Sequence, residues 1–280
     1  MTVKIDRWYG RLGNNLIQIA NACAMAEKYR TDVKYPNHYI IKDVPIFFGN
    51  SEVDLEGEFF SLKSHKFPRI NNTDNEYVVS NRYRILKELG REILPYENKQ
   101  MDYDLLIHFR GGDVFYGSAT KSNIGYVQSP FSYYQFIMNE EAPKRVLMVC
   151  EDGMNPMIQK FINMYGGDES VSIDLSIGDS INNDINKIMN CKVLVCSGTG
   201  SFVPSLSSCS NKVEKLYYPL YNSTKGESIL DIISEATKDM KNISDDTRFV
   251  FHHNYIKMGE WAGQIEDHNI SDLELYGELL

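Results

Sequence analysis

"LLIHFRGGDVF", Leu105–Phe115, sets the reading of the chain. Its first five residues, Leu105 to Phe109, are apolar except for His108, which is the composition of a strand buried on both faces. Arg110, Gly111, Gly112 and Asp113 then follow without interruption. In parallel α/β sheets, ligands bind outside the carboxyl ends of the strands. Glycine lets the main chain approach a ligand closely, exposed amides attract anions, and a guanidinium offers a planar fork to phosphate oxygens. Asp113 stands where it can orient the loop or pair with Arg110. A tight turn closed by a surface salt bridge would use the same residue types, so the stretch alone leaves both readings open.

The flanking sequence supplies the sheet. Downstream, strands and helices alternate: "SPFSYYQFIMNEE" reads as a helix, "RVLMVCED" as a strand, "NPMIQKFINMY" as a helix and "SVSIDL" as a strand. "SINNDINKIMN" (helix), "KVLVCS" (strand), "SFVPSLSSC" (helix, with a proline near its start) and "EKLYYP" (strand) continue the pattern. Upstream, "VKIDRW" reads as a strand, "YGRLGNN" as a glycine loop, "NLIQIANACAMAEKYR" as a helix with Asn14 as its N-cap, and "TDVKYP" as a strand. "EYVVS" reads as a short strand and "NRYRILKELGREIL" as an amphipathic helix. The expected fold is α/β, with two Rossmann-like αβα domains. Residues 1–103 form the first domain, 104–254 the second, and 255–280 a helical tail. A cleft between two such domains is a natural place for two substrates to meet.

Composition narrows the function. The chain has 280 residues, 42% hydrophobic and 24% charged, which is globular, and its formal charge of -9 opposes a nucleic-acid partner. No apolar run reaches the roughly 18 residues of a membrane span. The N-terminus carries charges and glycines where a signal peptide has an apolar core. Five cysteines, mostly inside apolar runs, read as free thiols of a reducing compartment, so the expectation is a soluble cytoplasmic protein. Cys191 and Cys196 lack the spacing and the histidines of a zinc site.

"HFRGGD" fits the H-x-R-x-G-D motif of the GT-B fucosyltransferase superfamily, which holds the α1,2-, α1,6- and protein O-fucosyltransferases. Two further segments stand in that superfamily's order. "GRLGNNLIQIANACAMAEKY" resembles its N-terminal G-x-L-G-N-x-x-x-Q-x-A segment, and "DINKIMNCKVLVCSGTGSF" its nucleotide-binding segment. The resemblance implies a GT-B fold and a nucleoside diphosphate sugar as co-substrate, with Arg110 clamping the β-phosphate. His108 would line the base pocket and Asp184 would contact or shape it. Ser197, Gly198, Thr199, Gly200 and Ser201, followed by Phe202, would cradle the pyrophosphate, and Gly13 and Asn14 would face the donor. Glu151 and Asp152 resemble two acids that hydrogen-bond base or ribose, a position where acids also serve as helix caps. Trp8 and Tyr126 are the aromatic candidates for the acceptor glycan. The chain also resembles small transferases of large algal viruses, among them a xylosyltransferase using UDP-xylose, which would place it in a host cytoplasm.

Glycosyl transfer passes through an oxocarbenium-like state while a diphosphate leaves. Metal-dependent transferases hold a cation with Asp-x-Asp. Here that pattern occurs at Asp102-Tyr103-Asp104, before the strand instead of after it, so the expectation is metal-independent transfer with no cofactor. In the α1,6 branch a glutamate soon after the motif resembles the general base. "VFYGSATKS" has no acid, so the base falls to Asp54, Glu56, Glu58 or Asp74, with Asp74 preferred. The missing acid also fits a non-catalytic glycan- or nucleotide-binding module. Acceptor, linkage and oligomeric state have no signature in the sequence.

Overall fold

The structure is a computed structural model of the chain, and the residues it describes are 2–59, 72–112, 129–198, 200–221, 246–252 and 273–276. They form a mixed α/β protein with two mainly parallel sheets and six helices among the described residues. The chain divides into two compact units. Unit 1 holds residues up to Glu97 and takes the chain again for Ser201–Asn211. Unit 2 holds Asn98–Gly200 and the described strands that follow Lys212.

In unit 1, β1 (Thr2–Ile5) pairs in parallel with both β2 (Asp32–Lys34) and β4 (Leu55–Gly57), and β3 (Ile46–Phe47) closes the β2 edge antiparallel. The order of sheet A is β3-β2-β1-β4. Helix α1 (Leu12–Tyr29) crosses from β1 to β2. It starts earlier than the sequence reading placed it: Arg11 is the N-cap and Asn14 lies inside the first turn. Gln18 explains much of the segment's character. Its side chain is fully buried, accepts from Tyr9 N (2.7 Å) and donates to the carbonyls of Arg7 (3.0 Å) and Glu58. One amide thus ties the chain beyond β1 to the chain beyond β4.

Helix α2 (Asn72–Ile93) absorbs "EYVVS", which the valines had marked as a strand. Asp74, Val78, Arg82, Leu86 and Ile93 are buried at steps of four, four, four and seven, with Ile85 buried three residues after Arg82, a helical stripe that overrides local β propensity. Helix α6 (Phe202–Cys209) packs with α1 and α2 in unit 1. The approach requires a glycine, because a Cβ on Gly13 would stand 2.5 Å from Phe202 N.

Unit 2 is built on β5 (Leu105–Phe109), β6 (Arg145–Cys150), β7 (Ser172–Ile177), β8 (Val193–Cys196), β9 (Lys215–Tyr221), β10 (Asp246–His252) and β11 (Leu273–Tyr276). Helices α3 (Phe131–Glu141), α4 (Pro156–Tyr165) and α5 (Ile181–Asn190) supply the first crossovers. Sheet B runs β11-β10-β9-β8-β5-β6-β7, parallel except for the β10–β11 pair. Its core joins Leu105, Ile107 and Phe109 of β5 to Phe131, Tyr134, Met148 and Phe161. The described part of the expected helical tail is a strand: Leu273–Tyr276 pairs antiparallel with Phe249–His252. Alternating leucines in "LELY" bear the period of a strand, and the open edge of β10 supplies its partner.

Candidate nucleotide site at the switch point of sheet B

The chain lays β5, β6 and β7 down in one direction, then returns to β5 and lays β8, β9 and β10 in the other. Apart from the antiparallel edge strand, this is the 3-2-1-4-5-6 order of doubly wound sheets, and the crevice between the first and fourth strands is where such sheets bind ligands. Here those strands are β5 and β8. Their carboxyl ends deliver Arg110 and Ser197.

Hydrogen bonds lock the two loops together. Arg110 N donates to Ser197 Oγ (2.9 Å), and Ser197 N donates to His108 O (3.2 Å). On its other side, Arg110 O accepts from Asn155 Nδ2 (3.0 Å), while Asn155 Oδ1 caps α4 through Met157 N (3.0 Å). Ser197 is buried, and its carbonyl accepts from Ser129 N (2.7 Å) and Tyr134 OH (3.4 Å). The backbone that carries the guanidinium is therefore held on both sides. The guanidinium lies beside Gly200, where an added Cβ would stand 3.9 Å from Arg110 Nη1.

The glycines after Arg110 answer to the acids after β6. Gly112 has φ +64, and a Cβ on Gly111 or Gly112 would overlap Asp152 or Glu151 respectively. Asp152 accepts from Gly112 N (2.8 Å) and Met154 N (3.0 Å), one amide on each oxygen. It anchors the Arg110 loop in place.

Asp184 lies in the first turn of α5 and is 9% exposed. Burial, opposed by Lys187, raises its carboxyl to about 6. Oδ1 accepts no hydrogen bond, and Lys187 Nζ stands 3.6 Å away. Lys187 is shared with Asp179, whose carboxyl it pulls down to about 2 with help from Asn183 and Ser180 N.

Several expected residues fall elsewhere. Asp113, Tyr126 and Thr199 lie outside the described residues. Gly13, Asn14, Ser201 and Phe202 belong to unit 1, where Ser201 Oγ donates to Asn14 Oδ1 (2.6 Å) and Gly13 makes room for α6. These four are joined by helix packing. Trp8 donates its indole N–H to Pro36 O (2.9 Å), so its polar edge is occupied within unit 1. Asp74 is 1% exposed and pairs with Lys28 (2.6 Å), and it accepts from Tyr29 OH (3.2 Å). That corrects the polar-loop reading: Asp74 is a clamp between α1 and α2, not an accessible base.

Asp104 caps the opposite end of sheet B. Its Oδ2 accepts from Lys144 N (2.8 Å) and Arg145 N (2.9 Å), and Asp102 pairs with the Arg145 side chain. The Asp-x-Asp therefore sits at the amino ends of β5 and β6. Asn155 and Lys187 escaped the sequence reading. The signal for Asn155 was "NP" opening a helix, an N-cap followed by proline at N1. Its second bond, to Arg110 O, spans 45 residues and left no local trace.

The chain matches no protein-family model, no curated protein and no solved structure.

Proposed function

We propose that the chain is a glycosyltransferase of the GT-B type that moves a sugar from a nucleoside diphosphate donor to a glycan hydroxyl, with unit 2 as the donor domain. The observation that carries this reading is the fixing of Arg110 at the switch point of sheet B, through Ser197 Oγ on its amide and Asn155 on its carbonyl. A cation carried on a fixed stretch of backbone can stabilise a departing diphosphate with little main-chain reorganisation as charge develops. Arg110 would neutralise the β-phosphate, while Ser197, Gly198 and Gly200 would offer small backbone to the same anion. Asp184, a buried carboxyl raised to about 6, would face the uncharged part of the nucleotide. The H-x-R-x-G-D resemblance supports GDP-fucose as donor, and the resemblance to small viral transferases supports UDP-xylose. The Asp-x-Asp at the amino ends of the strands is badly placed to hold a metal for this reaction, so Arg110 would carry the electrostatic work.

A second reading has its own support. Asp74 is buried in an ion pair, and the stretch after the motif has no acid, so a nucleotide- or glycan-binding module of the same fold also fits. Turnover separates the two. Thermal unfolding with GDP, UDP and their sugars should give one nucleotide that raises Tm by mass action. The matching donor should then be consumed in the presence of glycan. Arg110→Ala should cut transfer by about 100- to 1,000-fold with Tm unchanged in the absence of ligand. Stabilisation by a nucleotide without consumption of any donor would favour the binding module.

A further inference from the structure

Sheet A has a switch point of its own, between β1 and β4, and its carboxyl edge carries an arrangement of side chains that helix packing does not require. Asp6 N donates to Gly57 O (3.0 Å), holding the two strand ends together. Just beyond, Arg7 Nε donates to Glu58 Oε1 (2.9 Å), and Nη2 reaches the same oxygen. The carboxylate is buried, while the arginine side chain is 58% exposed. An acid therefore lies at the floor and a guanidinium at the rim.

A supported group of rings is linked to this pair through Asn15, which bonds both His38 and Gln18, and Gln18, which donates to Glu58 O. Trp8, fixed by its N–H on Pro36 O, meets His38 edge-on at 5.2 Å. His38 Nδ1 accepts from Ile40 N (3.0 Å) and Ile41 N (2.9 Å), so Nε2 carries the proton and donates to Asn15 Oδ1 (3.1 Å). Burial lowers the His38 pKa, and protonating Nδ1 would displace two amides, so the ring is neutral. Tyr39 stacks on it at 4.6 Å yet is 77% exposed. Tyr9, under the Arg7 guanidinium at 5.2 Å, is also exposed.

We propose that this edge is a saccharide-binding platform: the exposed Tyr39 ring, stacked on His38, presents a flat apolar face, and the exposed Arg7 guanidinium, oriented by buried Glu58, supplies donors for hydroxyl groups. A pyranose has this complementary form, with a C–H face bordered by hydroxyls that both donate and accept. Glu58 already neutralises the Arg7 guanidinium, so the pair offers no net positive charge to a phosphate. The exposed rings offer far less area than the roughly 800 Å² per partner of a stable protein interface. The platform deepens the transferase reading as its acceptor side, and only that role rests on the reading.

Saturation-transfer NMR on the full chain tests it, with the methyl glycosides of galactose, glucose, fucose and xylose as probes. Saturation should pass to ring C–H protons of at least one glycoside. Tyr39→Ala and Glu58→Gln should each weaken the signal at least about fivefold, the scale of a lost stacking contact or charge-assisted hydrogen bond. Arg110→Ala should leave it unchanged. Tyr39 is solvent-facing and Glu58→Gln conserves shape, so unaltered Tm values separate lost binding from lost folding. No transfer from any of the four glycosides, a signal intact in Tyr39→Ala, or a signal abolished by Arg110→Ala would each overturn the platform. GDP and UDP titrated into the same samples report on the donor reading alone.

Discussion

Asp184 is the residue whose energetics and chemistry pull apart. A buried carboxyl raised to about 6 binds its proton more tightly when folded than when unfolded. By linkage the folded state then loses stability as pH rises from about 4 to about 6, and the full penalty persists above that. Asp184→Asn removes the ionisation, so at pH 7.5 it should raise Tm by about 2–5 °C, a gain that fades as the pH is lowered through that window. If Asp184 serves a nucleotide, the stabilised variant should bind that nucleotide more weakly, as scanning calorimetry paired with a binding titration would show. A variant that gains stability and loses no affinity would make Asp184 a purely structural carboxyl. Asp74 gives the opposite case. Asp74→Asn should cost about 1–3 kcal/mol in urea unfolding, because it leaves Lys28 without its buried partner, yet it should retain transfer activity. Activity lost beyond the lost stability would restore Asp74 as the base.

Among the elements, α6 depends most on one position. A Cβ on Gly13 would press on the backbone of Phe202, which cannot turn aside as a side chain can. Gly13→Ala should therefore destabilise by about 1–3 kcal/mol and loosen amide protection in α6 before α4, measured by hydrogen exchange. Equal protection in both variants would contradict the packing account. The same helix marks what could be read without coordinates. Strands β5, β6 and β8 are apolar runs with polar boundaries, broken within only by His108, so they and the loops after them were legible, Arg110 and Ser197 included. Asn14 and Gln18 were visible as a motif, but the motif cannot say whether its polar groups face a ligand or hold the fold. Gln18 holds the fold, through carbonyls at Arg7 and Glu58 that lie 11 and 40 residues away. The "EYVVS" segment misled because β-branched residues speak locally, whereas the stripe that buries α2 is spread over six turns. "LELY" alternates as a strand does, but its partner β10 had to be in place before the pairing showed.

For the molecule as a whole, strand order decides which loops can meet a ligand together. A chain of formal charge -9 has no general attraction for anions, so any hold on a diphosphate must be local. The order of sheet B puts the β5 and β8 loops side by side, and the bond from Arg110 N to Ser197 Oγ closes them into one unit. Phosphorus NMR of GDP and UDP titrated with the protein reads that point most directly. One of the two nucleotides should show a β-phosphorus resonance that shifts on binding, and Arg110→Ala should remove the shift while leaving Tm in the absence of ligand unchanged. A β-phosphorus resonance unmoved by the wild-type chain, or moved equally by the Arg110→Ala variant, would contradict the assignment of this arginine to the diphosphate.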